Sequence, residues 1–373
     1  MLHVSIKRES LLKPLQLVIG VVERRQTNPI LSHLLFTSDG NNTFTVIGTD
    51  TEIELHGLIT IASNKNIPAG QLTIPGKKFL DICKSLPENS IVELKEDENN
   101  RVIITCGYSR FVLATLSPQE FPRVPVQNLL LNFEIEQIML RKLIETTSFA
   151  IPQQDVRQYL NGLLFEMKDG YIQGLATDGH RLAIHSIKNS NIAEEFSQII
   201  IPRKGVLELS RLLEKTQKKV AVSFNNHLIR IKNDNFVFIS KLINGKFPNY
   251  NRIIPSKGDK KLVIDCEILK TALNRVNILS HELFHSVNFK IRNNSLALVT
   301  KNPNQEEAME EINVDYEGQD LDIVFNISYL IDVLNVINTK TVTIFFKQGD
   351  TGIIIEESNS DPNCLHVLMP IKQ

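Results

Sequence analysis

NGLLFEMKDGYIQGLATDGHRLAIH, residues 161–185, is the stretch whose reading decides the fold. Two segments rich in large apolar residues, 163–167 and 171–177, are joined by Lys168-Asp169-Gly170, a hairpin turn that uses glycine for positive φ. Asp178-Gly179 makes a second turn. Beyond it Leu182 and Ile184 occupy one face of a third strand, with Arg181, Ala183 and His185 on the other. The pattern predicts an antiparallel meander with Thr177, His180 and Arg181 crowded at one sheet end. An Asp two residues from a His admits an orienting carboxylate beside a base. An Asp-Gly turn between strands is the commoner chemistry, and no nucleophile motif is nearby, so the knot reads as a turn or a binding rim.

Working outward, 373 residues suggest two or three domains, and the repeats below argue for three. An apolar content of 42% with 22% charged residues is that of a soluble globular chain, and no apolar run is long enough for a bilayer. The first twenty residues carry Lys7, Arg8, Glu9 and Lys13, which interrupts any secretory signal, so a cytoplasmic protein with no membrane partner is expected. Cys83, Cys106, Cys266 and Cys364 are scattered without metal-ligand spacing, which predicts reduced packing thiols, no metal and no disulfide framework. The formal net charge is −1, so a nucleic-acid binder of this composition must segregate its charges by face.

The surroundings of the opening stretch recur. Apolar helical patterns begin around Leu11, Leu140 and Leu269, each 129 residues from the next, and Pro75 and Pro202, 127 apart, each precede a second helix. Phe121-Pro122 and Phe247-Pro248 close the first two rounds. Helices are expected over 10–22, 77–86, from 140, over 204–215, over 268–279 and over 329–337. Ser10 would open the first of these, with Pro14 in its first turns. A strand is expected over 30–37. Each round gives two helices among many antiparallel strands, an α+β layer with helices on one sheet face. Boundaries near Pro125 and Pro255 divide the chain into 1–125, 126–255 and 256–373. The helical stretches and their flanks hold fourteen Lys and Arg against five Asp and Glu, about +9 in a chain of −1. That segregation suits phosphate contact without base reading.

QDVRQYLNG at 154–162, ATDGHRLA at 176–183, IPRKGV at 201–206, SKLINGKFPNY at 240–250 and VLMPI at 367–371 resemble, in order, the signatures of the bacterial DNA sliding clamps, the beta subunits of the replicative DNA polymerase III. The resemblance covers the whole chain. It implies three clamp domains per chain in a head-to-tail dimeric ring, helices lining a hole for duplex DNA and antiparallel sheets outside. It also implies a processivity factor without catalysis or cofactor, with polymerases, the clamp loader and a second copy as partners. By the same resemblance, Arg157, Leu160, Thr177, Gly179, His180, Arg181, Leu182, Pro248, Arg252, Ile253, Val367, Leu368, Met369, Pro370 and Ile371 form a groove for linear peptide motifs. Arg25, Lys77, Gln154 and Tyr159 resemble DNA-touching positions, joined by Arg203 and Lys204 on the basic helix face. Arg110, Phe111 and Leu113 would face Ile278, Leu279, Glu306, Glu307 and Glu310 across the ring seam. The chain departs from relatives at Tyr108, Gln158, Met309, Gly352 and Lys372. A hydrolase built on Asp178 and His180 is the rival reading, but no GxSxG, P-loop, HExxH or paired-acid frame accompanies it. A monomeric peptide-binding scaffold is a third.

Overall fold

One block of elements, strand, helix, four or five strands, helix and three strands, is laid down three times in the computed structural model. It describes residues 2–22, 28–40, 43–60, 68–126, 129, 131–189, 197–258, 260–281, 283–347, 352–357 and 364–372. The first block is β1 His3–Lys7, α1 Arg8–Val18, β2 His33–Ser38, β3 Thr43–Thr49, β4 Ile53–Thr60, β5 Gly70–Pro75, α2 Gly76–Ser85, β6 Ile91–Asp97, β7 Arg101–Cys106 and β8 Ser109–Ala114. The second is β9 Leu131–Glu136, α3 Gln137–Glu145, β10 Gly162–Lys168, β11 Tyr171–Thr177, β12 Arg181–Lys188, β13 Ser197–Pro202, α4 Arg203–Leu212, β14 Lys219–Phe224, β15 Leu228–Lys232 and β16 Phe236–Lys241. The third is β17 Lys260–Asp265, α5 Cys266–Asn277, β18 Ser286–Arg292, β19 Ser295–Lys301, β20 Glu307–Asn313, the short β21 Asp315–Tyr316, β22 Leu321–Asn326, α6 Ile327–Val336, β23 Thr341–Phe346, β24 Ile353–Glu357 and β25 Cys364–Leu368.

The helices form where apolar residues recur at helical spacing. Leu11, Pro14, Leu15 and Val18 are the buried stripe of α1, and Leu269, Ala272, Leu273 and Val276 repeat it on α5. Asp265 caps α5 by accepting the Glu267 and Ile268 N–H groups, and Asn326 caps α6 at Tyr329. The opening helix corrects the expected one: it starts at Arg8, directly off β1, and ends at Val18 before a 3-10 turn, Ile19–Val21. Pro14 therefore lies well inside the helix. Its ring is seated on Gly57 of β4, where an added Cβ would come within 2.8 Å of the Pro14 Cβ, so this packing holds the proline in place. The strand expected over 30–37 begins later, because Pro29–Ser32 is a 3-10 turn whose Ile30 N–H is taken by Asn28.

Each block supplies two four-stranded half-sheets, and halves of successive blocks join edge to edge. β4 pairs antiparallel with β16, closing an eight-stranded sheet in the order β5-β2-β3-β4-β16-β15-β14-β9. β12 pairs with β25 in a sheet ordered β13-β10-β11-β12-β25-β24-β23-β17-β21. Contacts accordingly group the chain into 1–138 with 207–242, and 139–206 with 243–373. These units do not break at 125 and 255, because each sheet runs through the junction between repeats. The two remaining half-sheets, β1-β6-β7-β8 and β20-β19-β18-β22, end in β8 and β20.

β12 divides its residues between two faces as the alternation predicts, and both faces are buried: Ala183 and His185 lie under the α3 side, where the Thr146 hydroxyl and His185 Nδ1 are 2.7 Å apart, and Leu182 and Ile184 lie on the other. The four cysteines are buried free thiols. No helix among the described residues is long and apolar enough to cross a membrane.

Burial pushes the His366 imidazole, which shares this interior with His185, down to about 4, and does the same to His33. The unfolded chain binds these protons below about pH 6.5, whereas the folded chain resists them to about 4, so stability is present at neutral pH and is lost on acidification between these limits. Each such histidine costs up to about 1.4 kcal/mol per pH unit in that window. The melting temperature should fall between pH 7 and pH 5, and His366→Leu should flatten that fall; an equally steep fall in the variant would exclude His366 as a source.

Candidate functional site

The knot at the end of β11 is a hydrogen-bonded turn. The Thr177 hydroxyl donates to the Arg181 carbonyl and accepts from the Gly179 N–H, while Asp178 Oδ1 accepts the His180 and Arg181 N–H groups at 2.9 and 3.0 Å. Asp178 is occupied in shaping the loop, and no His180–Asp178 side-chain pair forms among the hydrogen bonds of the turn. The first repeat makes the same turn. Thr49 donates to the Ile53 carbonyl and accepts from Thr51, and Asp50 accepts from Glu52 and Ile53. Its recurrence in a second repeat marks it as architecture.

Arg181 serves as a tether. Its guanidinium donates to Asp178 (3.0 Å), to Asp332 of α6 (2.6 Å) and to the Phe149 carbonyl (2.7 Å), lies 4.3 Å from the Tyr329 ring centroid, and is only 11% exposed. With its donors committed inside the protein, it fixes the β12 turn against the last repeat and presents no free fork to a ligand.

The residues expected in the groove assemble on the face of the β12·β25 sheet away from α3. Leu182 is opposite Val367, and Val367 is opposite Ile354, so the three form one row across the seam. Leu160, Phe247 and Leu164 pack in the same cluster, with Tyr159, Tyr250 and Ile254 half-buried around it. Tyr250 donates to Glu166 (2.5 Å), with Gln173 Oε1 2.8 Å from the same hydroxyl, and burial together with Glu166 raises its phenol pKa. This bond anchors the turn that presents Pro248, Arg252 and Ile253, all of them exposed. Arg157 is held bidentately by Asp155, and its Nη2 donates to the Asp178 carbonyl, beside exposed Gly179 and His180. Met369 donates its N–H to the His180 carbonyl, Ile371 donates to the Val324 carbonyl, and Pro370 lies half-buried between them. Leu368 is not brought to this face: it belongs to the core of the last repeat. Tyr250 and Ile354 are wall residues that the sequence reading missed, although the strand run 353–355 and the quoted 240–250 motif contain them.

Two helices begin with paired bases, Lys77-Lys78 on α2 and Arg203-Lys204 on α4. Positive charge at a helix N-terminus opposes the macrodipole, yet amide donors and bases together make a phosphate site. Lys77 and Lys78 are exposed, Arg203 and Lys204 are half-buried, and Arg203 Nε makes no hydrogen bond among the described residues. Gln154 and Gln158 are exposed, and Tyr159 packs edge-on against Phe247. Arg25 lies outside the described residues. The charge count also needs correction. The six helices carry twelve Lys and Arg against six Asp and Glu, since Arg8, Glu9 and Glu267 also lie on them and Glu214, Lys215, Lys218 and Lys219 do not. The excess remains basic.

At the two sheet edges, Arg110 is exposed and Phe111 and Leu113 half-buried on β8, with Tyr108 fully exposed beside them. At the other edge Ile278 and Met309 are exposed and Leu279 half-buried. Glu310 is paired with Arg275, Glu307 with Lys301, and Glu306 accepts from Asn302. Leu283 and Phe284 are exposed in the same repeat and were not anticipated; their apolar character inside the polar run 281–285 was the available signal.

Arg181→Met should destabilise the chain by about 1–3 kcal/mol, because it leaves Asp178 Oδ2 and the Phe149 carbonyl without their donor and removes the tie to Asp332. Arg181→Lys should recover only part of this. Urea unfolding measures both, and a Met variant of unchanged stability would show that the tether carries no load.

Models of the DNA polymerase III beta subunit match the chain in sequence: the N-terminal domain over 2–125, the central domain over 134–249 and the C-terminal domain over 251–372. The beta sliding clamp of Pseudomonas aeruginosa is 43% identical over 371 residues, covering 100% of both chains. The crystal structure of the DNA polymerase III subunit beta from that organism superposes with a TM-score of 0.96 at 42% identity, again over 100% of each chain. A Pseudomonas aeruginosa sliding clamp solved bound to griselimycin gives 0.95 at 43% identity with the same coverage. With its threefold block, its paired half-sheets and a match along its whole length, the chain belongs to the DNA polymerase III beta subunit family, the bacterial sliding clamps.

Proposed function

We propose that two copies of this chain close into a ring around duplex DNA, slide on it, and tether DNA polymerases and the clamp loader through the groove beside β12 and β25. The observation that carries the ring is topological. In equivalent blocks, β4 of the first pairs with β16 of the second, and β12 of the second with β25 of the third. The same rule applied to the strands left over, β20 of the third block and β8 of the first, requires a second chain. Bare edges with half-buried Phe111 and Leu113 invite such pairing. On this reading Arg110, Phe111 and Leu113 meet Ile278, Leu279, Glu306, Glu307 and Glu310, and the three clamp domains are 1–125, 126–255 and 256–373. Holding DNA by encirclement needs neither nucleophile nor cofactor.

DNA would be met by Lys77, Arg203, Lys204, Gln154, Tyr159 and Arg25 through phosphates, without base reading. The peptide groove is supported by the exposed rim of Pro248, Arg252, Ile253, His180 and Gly179 around the Leu182, Val367 and Ile354 row. The griselimycin-bound relative shows that a clamp of this family takes a ligand.

Leu279→Asp should convert the dimer to a folded monomer by sedimentation, and that monomer should no longer be retained on nicked circular DNA. A dimer of unchanged strength would refute the seam. Deleting residues 369–373 removes the bonds to His180 and Val324 but leaves β25 whole, so the variant should remain dimeric and stay on DNA while losing polymerase-derived peptides. Undiminished peptide binding would sink the groove assignment.

A further inference from the structure

We infer that the seam between β4 and β16 is a second ligand site, built to hold a carboxylate carried on an aliphatic peptide segment. It goes beyond the groove proposed above and does not require it. The two seams share one backbone plan. Leu182, Val367 and Ile354 form the row across the β12·β25 seam, and the corresponding row across β4, β16 and β15 is Glu54, Ile239 and Arg230. The next row is His56, Val237 and Lys232. An apolar wall has been replaced by acid, aliphatic and base.

Glu54 is fully buried. Burial alone would raise its pKa, but His56 Nε2 at 2.6 Å, the Val124 N–H at 2.9 Å and Arg123 Nε at 3.2 Å outweigh this and leave it below the usual carboxylate value. These partners saturate the carboxylate. Arg123 uses only Nε in this pair, so its terminal nitrogens stay available. Arg230 Nε is buried and makes no hydrogen bond, and Arg230 has no acidic partner among the described residues. A buried, charged donor without an acceptor is costly, and the missing group is an anion. Beside it lies a cavity of about 330 Å³ lined by these groups and by Val124, Val126, Val237 and Ile239. That volume is near the lower limit of ligand pockets and suits one or two side chains. The aliphatic lining selects an anion with a hydrocarbon neighbour over a free inorganic ion. Gly57 of β4 faces Pro14 of α1, so by strand alternation Glu54 and His56 look away from that helix, and duplex DNA on the helix side does not reach them.

The test is calorimetric titration of the full-length protein with N-acetyl-Glu-Leu-amide. Saturable binding is expected, with roughly tenfold or greater loss for N-acetyl-Gln-Leu-amide and for the Arg230→Gln protein at an unchanged melting temperature. Val126→Asp, which places a carboxylate in the cavity in cis, should also abolish binding. The chain lacking residues 369–373 should bind the peptide as the full chain does, which separates this site from the other seam. Absence of saturable binding, equal affinity for the Gln peptide, an unaffected Arg230→Gln protein, or loss on the 369–373 deletion would overturn the assignment. Inorganic phosphate binding as tightly as the peptide, or displacement by duplex DNA, would overturn it in favour of a free anion or a nucleic-acid backbone.

Discussion

An exposed strand edge must be paired, covered or blunted, and the architecture of this chain follows from how it meets that requirement. Each block makes two half-sheets, and at the end of each that serves for joining, β4, β8, β12, β16, β20 or β25, the outer backbone donors and acceptors lack partners within the block. Joining β4 to β16 and β12 to β25 satisfies four of these edges and welds repeats into continuous sheets. The welds are strong enough that the compact units cut through the middle repeat instead of between repeats. A chain with three blocks has one such edge left at each extreme, on β8 and β20, and a second copy supplies the natural complement.

The Thr-Asp turn is the local device that sets the seams. Thr49-Asp50 and Thr177-Asp178 close the same hydrogen-bond ring and launch β4 and β12 in the same register, so the strand that follows always meets the final strand of the next block. The Arg181 network then clamps one of those turns to α6. Phe247 joins Leu182 and Val367 in the apolar cluster of one seam, whereas Phe121 clusters with Leu35 and Ile47 on β2 and β3. Asp178 beside His180 imitates a catalytic pair in one dimension, and the backbone bonds of the turn explain its presence.

The repeat was legible because it is written in spacing. Leu11, Leu140 and Leu269 each sit on the buried stripe of an equivalent helix. Helix starts were legible to within a few residues where a cap or proline marked them. They were misread at α1, where the helix grows directly from a paired strand and no capping side chain marks the start. Alternation divided β12 correctly into Leu182 and Ile184 against Ala183 and His185, and the burial of both faces is a tertiary fact that alternation does not report. In the groove, residues near the quoted motifs were found, whereas Ile354 was not, because it arrives through a strand register. Arg181 and Leu368 are named by proximity in sequence, but the side chain of one is consumed by Asp178, Asp332 and Phe149, and that of the other turns into the core.

Those two residues show what a strand can and cannot transmit. A strand places neighbours on opposite faces, so Val367 and Leu368 are adjacent in the chain yet serve the groove and the core of the last repeat respectively. Because the core face must stay buried against the helices and takes a polar group such as His185 only with a partner like Thr146 there, the outer face of each seam is the freer to change. Between the two seams that freedom has been used fully, with Leu182, Val367 and Ile354 in one and Glu54, Ile239 and Arg230 in the other, on backbones paired in the same way. The change is costly wherever a charge is buried, and Glu54 carries three partners to offset it. Arg230 Nε makes no hydrogen bond among the described residues. Packing accounts for the first charge and leaves the second unexplained, which is why the seam between the first two blocks reads as a surface shaped for something outside the chain.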